Sequence, residues 1–159
     1  QIQPFFGYDR SQLLAVRCLK SPGVVERRTE AIMSNNDPVT EDTLKGFLEA
    51  FNRHDVEAIM AYFAEECVVN MPRGAGPGGD CYTGKEEIRT AVNIRFSGVP
   101  DVHYGEDTHW VCGDLGVSKW LLTGTTPAGN AVAVRGVDLL EFRDGLIIHN
   151  DSYWKIVND

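Results

Sequence analysis

AVAVRGVDLLEFRDGLIIHNDSYWK, residues 131–155, is the stretch on which the reading of the fold turns. Side chains of a strand alternate between its faces, so parity sorts them. One parity gathers Val132, Val134, Gly136, Asp138, Leu140 and Phe142, and the other holds Arg135, Glu141 and Arg143. Only the first can face a core. Asp144-Gly145 has the residues of a tight hairpin turn. On the returning strand Ile148, Asn150, Ser152, Trp154 and Ile156 share one side, while His149, Asp151, Tyr153 and Lys155 share the more polar other. The pattern predicts an antiparallel pair with Asp138 facing the side that holds Asn150 and Ser152.

Asp138 is then a lone carboxyl on an apolar strand face. Burying a carboxylate there is costly unless it is bonded or neutral. Two readings stay open: a structural acid bonded to backbone or to an indole N–H, and a pocket acid that does chemistry. Trp120 or Trp154 could donate the bond, and no basic residue shares the inferred inner face.

Outward from this hairpin, residues 102–130 read as two more strands, with turns at Gly113-Asp114 and at Pro127-Ala128-Gly129-Asn130. Tyr104, Thr108 and Trp110, then Ser118, Trp120 and Leu122, are assigned inward by parity, as plain core or as ligand contacts. Upstream the period changes. Leu44, Phe47, Leu48 and Phe51 form one helical stripe behind an Asp37-Pro38 start, and Val56, Ile59, Met60 and Phe63 form a second behind Asp55. A brief strand is expected from Cys67 to Met71. A third helix follows from Lys85 to about Arg95, capped by Thr83 with Glu86, and with Ile88, Ala91 and Val92 inward. Helices followed by a strand meander make an α+β domain with its helices on one sheet face.

Residues 1–32 carry five Lys or Arg against three Asp or Glu, whereas the whole chain of 159 residues has net charge −8. This reads as an N-terminal extension, 1–33, joined to a domain over 34–159. A helix around Leu13, Leu14 and Leu19 that docks on the domain or a partner is the other reading. The acidic balance argues against nucleic acid, which is bound through basic patches. No apolar run reaches the roughly 18 residues needed to span a bilayer. Four cysteines, at 18, 67, 81 and 112, follow neither a zinc nor a CxxC pattern, which suggests reduced thiols and a cytoplasmic location.

The loop MPRGAGPGGDCYTGKEE, residues 71–87, contains both GxGxxG and GxxxxGK. A dinucleotide fingerprint must lie directly between a strand and a helix of a βαβ unit, and a phosphate loop needs Ser or Thr where Glu86 stands. The glycines read instead as a flexible rim loop. His103 and His109 share a parity but lie about 20 Å apart along an extended strand, too far for one ion. No metal and no cofactor are expected.

FLEAFNRHDVEAIMAYFAEECVVNMP, then YTGKEEIR, then VDLLEFRDG and DSYWK, in that order and spacing, resemble the nuclear transport factor two-like superfamily. The likeness is strongest to its SnoaL-like polyketide cyclase and ketosteroid isomerase-like branch and covers roughly residues 38–157. It implies a cone-shaped, curved, mostly antiparallel sheet with three N-terminal-side helices enclosing an apolar pocket. A ketosteroid isomerase uses a base carboxylate, a tyrosine and a protonated aspartic acid. By position the acid falls on Asp138, the tyrosine on Phe47 and the base on Met71. Steroid isomerisation by that mechanism is therefore not expected. Limonene epoxide hydrolases, of similar fold, need an Asp-Arg-Asp set that Ser152 and the outward parity of Arg135 do not supply. A SnoaL-like cyclase needs one acid, which Asp138 or, given a bulge, Asp151 could provide.

The expected function is a cofactor-independent isomerase, cyclase or hydratase acting on a small apolar ring or polyketide-like molecule. Asp138 is its general acid or oxyanion donor. Phe47, Met71, Trp110, Trp120, Asn150, Ser152 and Trp154 line the pocket, and Asp151 is a possible second acid. The alternative is a non-catalytic binding or dimerisation domain. Leu121, Val137, Leu139 and Tyr153 on the outer sheet face suggest a homodimer.

Overall fold

The computed structural model describes residues 38–155, so the proposed boundary at 33 and 34 lies outside the described residues. Three helices and six strands follow one another: α1 Glu41–Asn52, α2 Val56–Ala61, β1 Phe63–Asn70, β2 Cys81–Thr83, α3 Lys85–Gly98, β3 His103–Cys112, β4 Leu115–Thr125, β5 Ala131–Arg143 and β6 Leu146–Trp154. The strands form one curved, open sheet in the order β2-β1-β6-β5-β4-β3. All neighbours are antiparallel except β1 and β6, which run parallel. No helix among the described residues is long and apolar enough to cross a membrane.

Helix α1 starts one turn later than its proline suggests. Thr40 is the cap, and its hydroxyl accepts from the Thr43 N–H while Thr43 reciprocates to the Thr40 N–H. This is a capping box built from two threonines. Asp55 caps α2 by accepting from the Ala58 N–H at 3.0 Å. At α3 the cap is Gly84, with φ 79° and no side-chain bond, and Glu87 rather than Glu86 reaches back, to the Thr83 N–H. The expected Thr83–Glu86 box is displaced by one residue because Gly84 turns the backbone first. Strand β1 begins at Phe63, four residues before the apolar run that announces it.

The buried side chains form two clusters. Leu44, Phe47, Ile59, Phe63, Cys67, Ile88, Leu140, Phe142 and Ile147 pack α1, α2 and α3 onto β1, β5 and β6. Leu48, Val99, Val102, Tyr104, Trp120 and Leu122 pack the other end of α1 onto β3 and β4. Asn52 ties that second end down. Its amide donates to the Tyr104 carbonyl at 2.8 Å and accepts from the Tyr104 N–H at 2.7 Å, imitating a neighbouring strand.

Gly136 has a packing reason to be glycine. A Cβ there would lie 2.2 Å from Cη2 of Trp120, whose indole covers this point of β5 from the adjacent strand. Gly136→Ala is expected to cost about 1–3 kcal/mol, the usual range for overpacking, and to shift Trp120. Urea unfolding read by tryptophan fluorescence checks both; an unchanged midpoint contradicts this account of the glycine.

Candidate active site

A cavity of about 80 Å³ lies where the two clusters meet, lined by Phe47, Phe51 and Phe63, by Tyr104, Trp120 and Trp154, and by Asp138, Asn150, Ser152, Met71 and Arg95 among others. Asp138 comes from β5 and sits directly opposite Ser152 of β6 and Ser118 of β4. It is 7% exposed. Both carboxyl oxygens have donors. The Trp120 indole N–H donates to Oδ2 at 2.8 Å, and the Ser152 hydroxyl donates to Oδ1. Burial pushes the Asp138 carboxyl above the ordinary aspartate range, outweighing the bonds from Ser152 and Trp120 and the positive charge of Arg95. Desolvation wins because no cation forms an ion pair with it.

Tyr104 lines the same cavity and packs edge-on against Trp120, with ring centroids 5.2 Å apart. Burial and the nearby Asp138 push its phenol up to about 12, so at neutral pH it is a protonated hydrogen-bond donor. Asn150, 7% exposed, lines the cavity from β6, and its Oδ1 has no hydrogen-bond partner. A buried amide oxygen left without a partner is costly, and a ligand donor would relieve it.

Phe47, Met71, Trp120, Asn150, Ser152 and Trp154 therefore line one cavity with Asp138. Trp110 does not. A bulge in β3 sets residues 106 and 107 against Trp120 alone, with Glu106 at φ 48°. The extra residue reverses parity beyond it, so Thr108 and Trp110 turn to the outer face, where Trp110 is half exposed. His109 turns inward instead, bonded to Ser118 at 2.9 Å and to Asp107 at 2.9 Å. This trio is not an accessible nucleophilic triad, because Ser118 is only 2% exposed. A second bulge, in β6, inserts Ile148 between His149 and Ile147, so Ile147 is the core residue. It falls before residue 149 and leaves Asp151 on the outer side, bonded to the Tyr153 hydroxyl. Asp151 is thus no second acid of this cavity.

One lining residue escapes strand parity, and another is placed inward by it without a role. Arg95 comes from α3, seven residues after Ile88 and four after Ala91, on the helix face that packs inward. Parity places Tyr104 inward without giving it a role. The helical spacing can find Arg95; nothing in one sequence marks Tyr104. Among the described residues no group of three His, Cys, Asp or Glu side chains is placed to hold a metal ion.

The chain belongs to the SnoaL-like domain family, whose model matches residues 44–150. No curated protein is detectably similar in sequence. Its fold is shared with a candidate polyketide cyclase from Xanthomonas campestris, 18% identical, TM-score 0.64, covering 72% of this chain and 88% of that one. A nuclear transport factor two-like protein of unknown function from Burkholderia pseudomallei is 22% identical, with TM-score 0.65 over 77% of this chain and 92% of that one. A protein of ketosteroid isomerase-like fold from Catenulispora acidiphila, solved with trimethylamine, is 18% identical, with TM-score 0.65 over 74% and 88%.

A raised folded pKa means the native chain binds this proton more tightly than the unfolded one. The stability it contributes is fully present below the unfolded value of about 3.9 and is lost as pH rises through the folded value. The stability of the wild type minus that of Asp138→Asn is therefore expected to fall as pH rises from about 4 through the folded pKa. The fall should be about 1.4 kcal/mol for each unit by which the folded pKa is raised. Denaturant titrations across that range check it; a difference that grows with pH indicates a charged, well-bonded Asp138.

Proposed function

We propose that this SnoaL-like domain is a cofactor-independent enzyme that activates the carbonyl of a small apolar ring or polyketide-like substrate. Its reaction is of the isomerase, cyclase or hydratase type, with Asp138 as general acid or oxyanion donor. The observation that carries the reading is a buried carboxyl, biased towards its neutral form, on the wall of an aromatic cavity. The Trp120 indole N–H can only donate, so Oδ2 accepts in either protonation state and the proton of the neutral acid resides on Oδ1. That is the oxygen shared with Ser152.

A carbonyl oxygen placed beside Oδ1 or the Ser152 hydroxyl accepts this hydrogen as a nucleophile adds to the carbonyl carbon. The C=O π pair moves onto oxygen and is neutralised by the proton, and the nucleophile's own proton leaves to water. Tyr104 is a second donor for the same oxygen. Donors fixed in advance in a dry site stabilise developing charge far better than water does, and they supply much of the rate enhancement of many enzymes. With Met71 where the related isomerases place a carboxylate, the protein supplies the acid and the substrate or water supplies the nucleophile.

Exchange of cyclohexanone oxygen with ¹⁸O-labelled water, followed by mass spectrometry, tests this without knowing the natural substrate. The wild type is expected to accelerate exchange, and Asp138→Asn to reduce the acceleration by about 100-fold, the lower end for acid catalysis. The effect should fade as pH rises through the folded pKa of Asp138. Equal exchange with and without protein argues for the non-catalytic alternative.

One observation favours an added role for the outer sheet face in assembly. Trp110, Leu139 and Tyr153 stand 50%, 43% and 52% exposed there, with Val117 and Val137 between them in the register. An apolar row of this kind usually marks an interface, and its proposed occupant is a second copy of the chain. Sedimentation at tens of micromolar is expected to give a dimer, and Leu139→Glu a monomer; a monomeric wild type overturns the assignment.

A further inference from the structure

Outside the inner cavity lies a wider vestibule of about 380 Å³, lined by Arg73, Asp80, Tyr82, Ile94, Val132 and Val134. Met71, Pro72, Ala91, Arg95 and Trp154 line both spaces, so they form the passage between them. The Trp154 ring carries two cations. The guanidinium carbon of Arg95 lies 4.8 Å and that of Arg73 lies 5.2 Å from its centroid. Neither arginine has an ion-pair partner among the described residues, although the chain has net charge −8. Asp80 is the one acid lining the vestibule. Its backbone closes the loop that carries Arg73, through Met71 N–H to Asp80 carbonyl at 2.8 Å and Asp80 N–H to Arg73 carbonyl at 2.9 Å. Among the described residues the collar around Trp154 therefore keeps a positive excess.

We infer that this collar holds a carboxylate of the substrate while the apolar remainder enters the inner cavity. This names the substrate class of the site and rests on the pocket reading above. Two guanidinium groups are suited to a carboxylate, which accepts paired N–H bonds from such forks. Both groups lie within cation–π distance of the Trp154 ring, which favours keeping them at the passage. The geometry also sets a length. Trp154 stands two residues beyond Ser152 on the same face of β6, about 7 Å along the strand. The carboxylate and the group that meets Asp138 are thus separated by roughly one or two fused rings. The substrate class is an apolar ring compound with a carboxylate at one end and its reacting carbonyl at the other. A cationic ligand is disfavoured, since it must pass both arginines.

Isothermal titration calorimetry at low ionic strength with naphthalene-2-carboxylate, its carboxamide and a naphthyl trimethylammonium tests the inference on the full chain. The carboxylate is expected to bind about tenfold more tightly than the carboxamide, the worth of a charge-assisted pair, and the ammonium more weakly than both. Arg73→Gln and Arg95→Gln should each lower that preference several-fold, and together abolish it. Unchanged circular dichroism and denaturant midpoints show that the variants are folded. Arg73 is exposed, so its substitution reads the collar without endangering the core. Equal binding of carboxylate and carboxamide, or a preference that survives the double variant, overturns the collar and leaves the pocket reading intact. Tighter binding of the ammonium also overturns it. Failure of every probe to bind overturns both.

Discussion

A carboxyl buried without an ion pair is the constraint around which the inner face of the sheet is arranged. Asp138 is 7% exposed on the cavity wall, and an unpaired charge in such a place is expensive. Two donors and a neighbour without a side chain meet that cost. Trp120 reaches Oδ2 only because its indole lies flat across Gly136, where any Cβ would intrude. Ser152 reaches Oδ1 because the β5–β6 register sets it directly opposite. The bulge of β6 occurs before residue 149, so that register is undisturbed where it matters. Tyr104, in turn, is held against Trp120 by the pair of hydrogen bonds between the Asn52 amide and its backbone. One acid thus accounts for a glycine, a tryptophan, a serine and the anchoring of α1.

The fold is largely legible in the sequence because its longest strand obeys parity without interruption. From Val134 to Phe142 every second residue of β5 is buried, and the helical stripes of α1 and α2 are equally clean. Parity fails where the backbone gains a residue. In β3 and β6 a single insertion exchanges the faces, sending Trp110 outward and Ile147 inward. A bulge has no reliable signature in one sequence: Glu106, at φ 48°, is not a residue that announces a left-handed backbone. The parallel pairing of β1 with β6 is equally hidden, since it joins the two ends of the domain and depends on sheet curvature.

The site is half legible for a related reason. Residues that reach the cavity from the strand carrying Asp138 and from its hairpin partner follow from pattern alone. Parity also places Trp120 of β4 and Tyr104 of β3 inward, without giving the phenol a role, whereas Arg95 of α3 lies outside its reach. Arg95 belongs to the inward stripe of α3 by spacing, yet an arginine at the end of an apolar stripe reads first as a solvated helix terminus. Tyr104 is the more instructive case. Reading by position finds Phe47 where related isomerases keep a tyrosine and counts the phenol as lost. The cavity has one nonetheless, supplied by β3 and protonated at neutral pH. Position on a chain and position around a cavity are different coordinates, and chemistry depends on the second.

The two charged ends of the passage are coupled through Arg95. Its positive charge lowers the Asp138 pKa, acting with the Ser152 and Trp120 bonds against the burial that raises it. An anion seated on Arg95 cancels part of that charge as felt at the cavity wall. It also displaces water from the passage and deepens the desolvation of the carboxyl. Both changes favour the neutral acid. By linkage, a protonated Asp138 favours the bound anion to the same degree. On the proposed reading, the proton is held on Asp138 most firmly when the passage is occupied, which is when a general acid would have something to protonate. Asp138 and Trp154 lie on neighbouring, hydrogen-bonded strands of one sheet. The coupling then needs no conformational change, only the field of one guanidinium group in a low-dielectric passage.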